Sequence, residues 1–213
     1  QSEFYYAPPE GFKALCSANF DDPTVKAHEN FNTITYSGGD DTDTGVGFQP
    51  DITWIKQRDV VVRRHHIQDS LRTAGRSLFP NDTTSEEVTS SYVTSFDSDG
   101  FSLGTSSEVN GSGKKYVAWN WLSATSANSG NETHNSSSGW SIIKWTGDSS
   151  SYGSDSVQSV NHSLGVAPEM IIAKNRTQDS IENYFYGNYD WVVYHKDLSS
   201  DNYVGLNSSS SET

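Results

Sequence analysis

The stretch GFQPDITWIKQR, residues 47–58, returns in altered form as GVAPEMIIAKNR, residues 165–176. Both begin with Gly, place Pro three residues on, follow it with an acid, run through an apolar stretch and close on Lys and Arg two residues apart. Upstream, FNTITYSG (31–38) matches WSIIKWTG (140–147) in its order of aromatic, polar, apolar and small residues. Downstream, IQDSL (67–71) can be laid on YHKDL (194–198), and SLFPNDTT (77–84) on YVGLNSSS (203–210). Matched blocks in one order indicate a duplicated unit. Within DITWIKQR, Ile52, Trp54 and Lys56 fall on one side and Thr53, Ile55 and Gln57 on the other. Apolar residues on both sides predict a central strand covered on both faces.

A chain of 213 residues accommodates two such units, each large enough to bury a core. Abundant Ser, Thr, Asn and Gly together with 11 Tyr, 6 Trp and 9 Phe disfavour helices and favour strands joined by tight turns, so the chain reads as all-β. The lone Cys16 forms no internal disulfide and reads as a buried thiol. A net charge of -13 with no basic stripe excludes a phosphate backbone as partner. The longest apolar runs, such as MIIA (170–173), are strand-sized, and no membrane span is expected. Asn81, Asn110 and Asn175 head N-x-S/T sequons. In so Ser- and Thr-rich a chain many arise by chance, and cysteine poverty argues against the secretory pathway.

The organisation expected is the end of an upstream domain plus an extended connector (1–30), a first β-sandwich (31–124), a Ser/Asn-rich linker (125–138) and a second sandwich (139–213). In the first unit SSYVTSF and GFSLG form a hairpin across DSDG (97–100), with the Asp-Gly step supplying positive φ. VVVRRHHIQDS (60–70) reads as strand, turn, strand. In the closing strand KKYVAWNWL (114–122), Tyr116, Ala118 and Asn120 oppose Val117, Trp119 and Trp121. Most of Trp54, Trp119, Trp121, Trp140 and Trp145 are expected in the core. The blocks at 95–104 and 116–122 have no later counterpart, so the second unit reads as C-terminally incomplete and the natural polypeptide as longer.

Several side chains invite chemistry. Asp40, Asp41 and Asp43 lie on a Gly-flanked turn of the kind a hard cation such as calcium needs, but the ring is incomplete, the second copy having only Asp148 and Asp155 there and no distal bidentate Glu, so a solvated turn is the favoured reading and no cofactor is required. His65, His66 and Asp69 offer imidazole beside carboxylate, but no third ligand or nucleophile motif accompanies them. No pair of carboxylates suited to glycoside cleavage stands out, so the chain reads as non-enzymatic. Tyr184, Phe185, Tyr186 and Tyr189 enrich a loop that the first copy keeps short and polar, and are the candidate ligand-binding residues, by stacking on sugar rings or by a protein contact. Lys56/Arg58 and Lys174/Arg176 recur in both copies and read as fold-holding groups, paired with Asp51 or Asp69 and their equivalents.

PPEGFKALCSANF (8–20), GFQPDITWIKQR, SFDSDGFSLG and VNGSGKKYVAWNW (109–121) together resemble long structural proteins of tailed bacteriophages, especially marine and cyanobacterial ones. In these, a SPRY-like lectin-type domain ends in a similar PPxGFKALNTANLP segment and is followed by repeated β-sandwich units. Cys16 departs from that pattern, which commonly has Asn there. The resemblance implies tandem antiparallel sandwich or jelly-roll units of concanavalin-like type in a virion appendage. It further implies a tail fibre, head fibre or adhesin on the virion surface, with other virion subunits and a host glycan or envelope component as partners, and a homotrimer. It supplies no binding residues.

Overall fold

The computed structural model describes residues 10, 25–40, 42–123, 130–147, 157–177, 190–199 and 202–209. The described residues are all-β, apart from a single 3-10 turn at Ala27–Glu29. Fourteen strands form antiparallel sheets.

The first unit is a sandwich of two such sheets. One has the order β1-β9-β3-β4, from Phe31–Ser37, Lys115–Trp121, Ile52–Gln57 and His66–Asp69. The other has the order β2-β8-β7, from Thr42–Thr44, Gly100–Leu103 and Val93–Asp97. A short ribbon of β5 (Arg76–Ser77) and β6 (Glu87–Val88) follows β4, tied to it by the bridge between Ile67 and Leu78. Strand alternation decides the burial. Thr53, Ile55 and Gln57 of β3 and Tyr116, Ala118 and Asn120 of β9 face inward and are buried, in the alternation the sequence pattern predicts but on the faces opposite Trp54, Trp119 and Trp121. Ile55, Phe79, Val93, Phe101, Val109, Tyr116 and Ala118 are fully buried together, with Ile34 and Tyr36 of β1 packed against them.

The DSDG hairpin forms, but for a different reason from the one expected. Its two turn residues, Ser98 and Asp99, are not among the positive-φ positions. Gly100 is needed because β2 passes so close that a Cβ there would collide with the Asp43 carbonyl. Asp99 then clamps the neighbouring loop, its carboxylate accepting from the amides of Gly45 (3.2 Å) and Gly47 (2.6 Å).

Val60–Val62, read as a strand, form none; Val61 and Val62 are 96% and 89% exposed, and the chain re-enters the sheet only at His66. Part of the stretch read as linker is a strand instead: β10 (Glu132–Asn135) pairs with β11 (Trp140–Ile143). The buried amide of Asn135 makes this possible by bonding Asn30 Oδ1 (2.8 Å) and receiving the Ser138 amide (3.1 Å).

The rest of the second unit is a three-stranded sheet, β12 (Met170–Ala173), β13 (Val192–His195) and β14 (Val204–Gly205). Its β12 and β13 repeat the pairing of β3 with β4 in register, and β14 takes the place of the segment at Leu78 that follows β5. The Ser70 amide donates to Asp51 O in the first copy, and the Lys196 amide to Glu169 O in the second, each at 2.8 Å. Ile67 bridges to Leu78 as Val193 pairs with Val204. The equivalent of Ile67 is therefore Val193, not Tyr194, so the alignment of IQDSL on YHKDL was one residue out of step.

Candidate functional site

The tryptophans are not where sequence composition put them. Because β3 and β9 send Thr53, Ile55, Tyr116 and Ala118 inward, Trp54, Trp119 and Trp121 project from the opposite face of the four-stranded sheet, half-buried. Trp140, at the start of β11, stacks on Trp121 with ring centroids 5.5 Å apart and planes 12° from parallel. Phe31 of β1 packs on Trp121 as well, with ring centroids 5.0 Å apart and planes tilted by 46°. Further along, Trp119 meets Trp54 edge-on at 6.1 Å. Trp145 is 47% exposed, and the buried tryptophan is Trp191, whose indole N–H donates to Phe79 O (2.8 Å). Two faces that both carry apolar residues cannot be told apart by hydropathy.

This aromatic face has its own supports. The Trp54 indole N–H donates to His65 Nδ1 (3.0 Å), which requires that nitrogen to be unprotonated. Burial, with lesser help from Lys56, lowers the His65 pKa and keeps it so. At the other end Phe31, Trp121 and Trp140 line a groove of about 410 Å³ with Asn30, Ser137 and Ser138. The Trp140 indole N–H is buried and has no hydrogen-bond partner among the described residues. An apolar platform bordered by a few polar groups suits a flat ligand that has one apolar face and hydroxyls at its rim.

The residues singled out for catalysis do not converge. Successive strand residues point to opposite faces, so His65 joins the tryptophans while His66 turns into the core. There the His66 ring lies 3.2 Å from Ser77 Oγ and 3.1 Å from Glu108 Oε2, the latter without the alignment of a good hydrogen bond. Burial lowers the His66 pKa and keeps it neutral, against the pull of Glu108. Asp69 instead pairs with Arg72. Arg64, 3.8 Å above the Phe79 ring, holds Glu87 (2.6 Å) and Glu108 (2.9 Å). His66 and then Arg64 bring the Glu108 pKa down to about 2.

Asp40 and Asp43 lie close enough to interact, and Asp41 lies outside the described residues. Burial, then repulsion from Asp40, raises the Asp43 pKa to about 6. Among the described residues no group of three His, Cys, Asp or Glu side chains is arranged to hold a metal ion. Tyr184, Phe185, Tyr186 and Tyr189 also lie outside the described residues, as does Cys16. Lys56 and Arg58 do not pair with Asp51 or Asp69. Lys56 Nζ donates to Gln57 O (3.0 Å) and Arg58 Nε to Tyr116 O (3.1 Å). Lys174 repeats the first contact, donating to Asn175 O at 2.8 Å, whereas Arg176 reaches Glu86 at 3.5 Å. No helix among the described residues is long and apolar enough to cross a membrane.

These features define a class: an all-β protein of antiparallel sheets, with a duplicated strand unit and an aromatic outer face. Over residues 26–213 the sequence matches the family described as a domain of unknown function, DUF7483, and the chain belongs to that family. Comparison with curated proteins and with solved structures found no match.

Proposed function

We propose that the chain is a non-enzymatic structural and adhesin module of a phage virion appendage, a tail or head fibre, that contributes to recognition of the host surface through its aromatic face. The observation that carries the recognition role is the placement of Phe31, Trp121 and Trp140 along an open groove rather than in the core. A pyranose ring presents an apolar C–H face to stack on such rings and hydroxyls to meet Asn30, Ser137 and Ser138. The setting in a virion, on its surface and among other virion subunits in a homotrimer, rests on the sequence resemblance. The absence of catalysis is supported by the engagement of His66, Glu87, Glu108 and Asp69 in internal pairs. A purely structural role, as decoration or connector, is the second reading, favoured by the exposure of Met170, Ile171 and Ile172 in β12 (53%, 46% and 40%).

The test is binding of the recombinant chain to intact candidate host cells and to their isolated surface polysaccharide. Saturable binding that falls about tenfold or more in a Phe31→Ala, Trp121→Ala variant supports recognition by this face. Loss in a Tyr184→Ser, Phe185→Ser, Tyr186→Ser, Tyr189→Ser variant instead moves the site to the tyrosine-rich tract. Sensitivity to EDTA brings the Asp40–Asp43 loop into binding. No binding by folded chain leaves the structural reading standing and overturns the recognition role.

A further inference from the structure

The two copies of the duplicated strand differ in one respect that a partner would remove. In the first copy β3 lies between β4 and β9. In the second, β12 pairs with β13, and among the described residues no strand lies along its other edge. The hydrogen bonds identify the groups concerned. The Lys196 amide bonds Glu169 O, and the Leu206 amide bonds Trp191 O. With the register Ile171↔Tyr194 and Val193↔Val204, antiparallel alternation turns the N–H and C=O of Ile171 and Ala173 toward β13. Those of Met170, Ile172 and Lys174 point to the opposite edge. Their equivalents in the first copy are Ile52, Trp54 and Lys56, which stand opposite Trp121, Trp119 and Val117 of β9.

The far end of this edge is already an interface. Arg58, the equivalent of Arg176, donates its amide to Lys115 O of β9. At Arg176 the contact comes from the first unit, with the Glu86 amide donating to Arg176 O at 3.0 Å. The open stretch from Met170 to Lys174 is thus continuous with the contact between the units, and is five residues long. It is also apolar, with Met170 and Ile172 53% and 40% exposed. An open apolar edge is the ordinary template for strand addition.

We propose that the Met170–Lys174 edge of β12 accepts an antiparallel extended strand of the β9 kind, uncharged and with aromatic residues at alternate positions, supplied by a partner segment. Val117–Trp121, Val-Ala-Trp-Asn-Trp, shows the chemistry, because it fills the equivalent edge of β3. The inference goes beyond the recognition role and stands whether or not the aromatic face binds glycans.

The test uses the 213-residue chain and a peptide of its own residues 114–122, KKYVAWNWL, with amide exchange read residue by residue. The expected result is saturable one-to-one binding, with the amides of Met170, Ile172 and Lys174 slowed about tenfold or more. A scrambled peptide does not bind. Ile172→Pro removes an N–H from the open edge alone, a position where a sheet tolerates proline, so it keeps the wild-type urea midpoint and weakens peptide binding about tenfold or more. The proposal is overturned by no binding by folded chain, by protection of these amides in the free monomer, or by equal binding by Ile172→Pro. Protection that rises with protein concentration alongside a dimer mass also overturns it, in favour of a second copy pairing edge to edge.

Discussion

Asp43 and His66 titrate in opposite senses, and each makes a measurable claim. The Asp43 pKa is raised from 3.8 to about 6, so folding favours its protonated form. Its contribution to stability is therefore complete below pH 3.8 and is lost as pH rises through 6. Asp43→Asn removes this dependence. Because the group is about half exposed and solvent screens it, the variant should gain only about 1 kcal/mol over wild type at pH 7, and nothing at pH 3.5, in urea unfolding. Millimolar calcium should leave the Asp43 titration in place; a fall of the pKa toward 4 on adding calcium would make the loop a metal site. His66 runs the other way. Its pKa is lowered from 6.5, so it supports the fold above that value and opposes it as pH falls below. His66→Leu should lower stability at pH 7, since Ser77 and Glu108 lose their neighbour, yet flatten the loss expected of the wild type as pH falls below 6.5. The sequence flagged His65, His66 and Asp69 as a set but not their roles. Adjacent residues part to opposite faces, and the partners of His65 and His66, Trp54 and Glu108, come from positions that no local spacing reveals, whereas Asp69 takes Arg72 three residues on.

Among the elements, β3 and β12 are one strand written twice with different surroundings. Gly, Pro and the acid that follows identify both, and that signal held to the level of single hydrogen bonds. It failed at the next strand because the shared Leu71 and Leu198 invited an alignment that the backbone pairing shifts by one residue. Nor could hydropathy assign the faces of β3 and β9, since a buried Thr53 bonded to Asn120 (3.0 Å) balances an outward Trp54. The energetic difference between the copies is testable. Ile55 is fully buried, so Ile55→Ala should cost about 2–4 kcal/mol in transfer and cavity terms. Ile172 stands where Trp54 does and is 40% exposed, so Ile172→Ala should cost less than about 1 kcal/mol. Equal losses in denaturant unfolding would show that the β12 strand is covered after all.

Across the whole molecule, the contacts between the two units among the described residues include the Trp121–Trp140 stack, the Trp191 indole on Phe79 O, and polar contacts centred on Glu86. The buried Glu86 carboxylate receives Arg72 and Arg76 of its own unit, each at 3.0 Å, and Arg176 of the other at 3.5 Å. Burial alone would raise the Glu86 pKa, but hydrogen bonds and charge from Arg72, with Arg76 and Arg176, outweigh it and hold the pKa below the ordinary value. Folding thus favours ionised Glu86, and its contribution is present above pH 4.5 and lost as pH falls below it. Removing this carboxylate leaves Arg72 with Asp69 alone and takes an acidic partner from the half-exposed Arg76 and Arg176, so Glu86→Ala should cost about 1–3 kcal/mol and act on both units at once. Arg176→Ala is the finer probe, because it deletes only the longest of the three contacts and leaves the pairs of Glu86 with Arg72 and Arg76 in place. Its cost should be about 1 kcal/mol or less. The loss should fall on the second unit, with protease cleavage faster beyond residue 123 while the amides of β3 and β9 keep their exchange protection. Uniform loss of protection across both units would instead make the pair one cooperative body, in which the Trp191 to Phe79 anchor carries the coupling and Arg176 adds little to it.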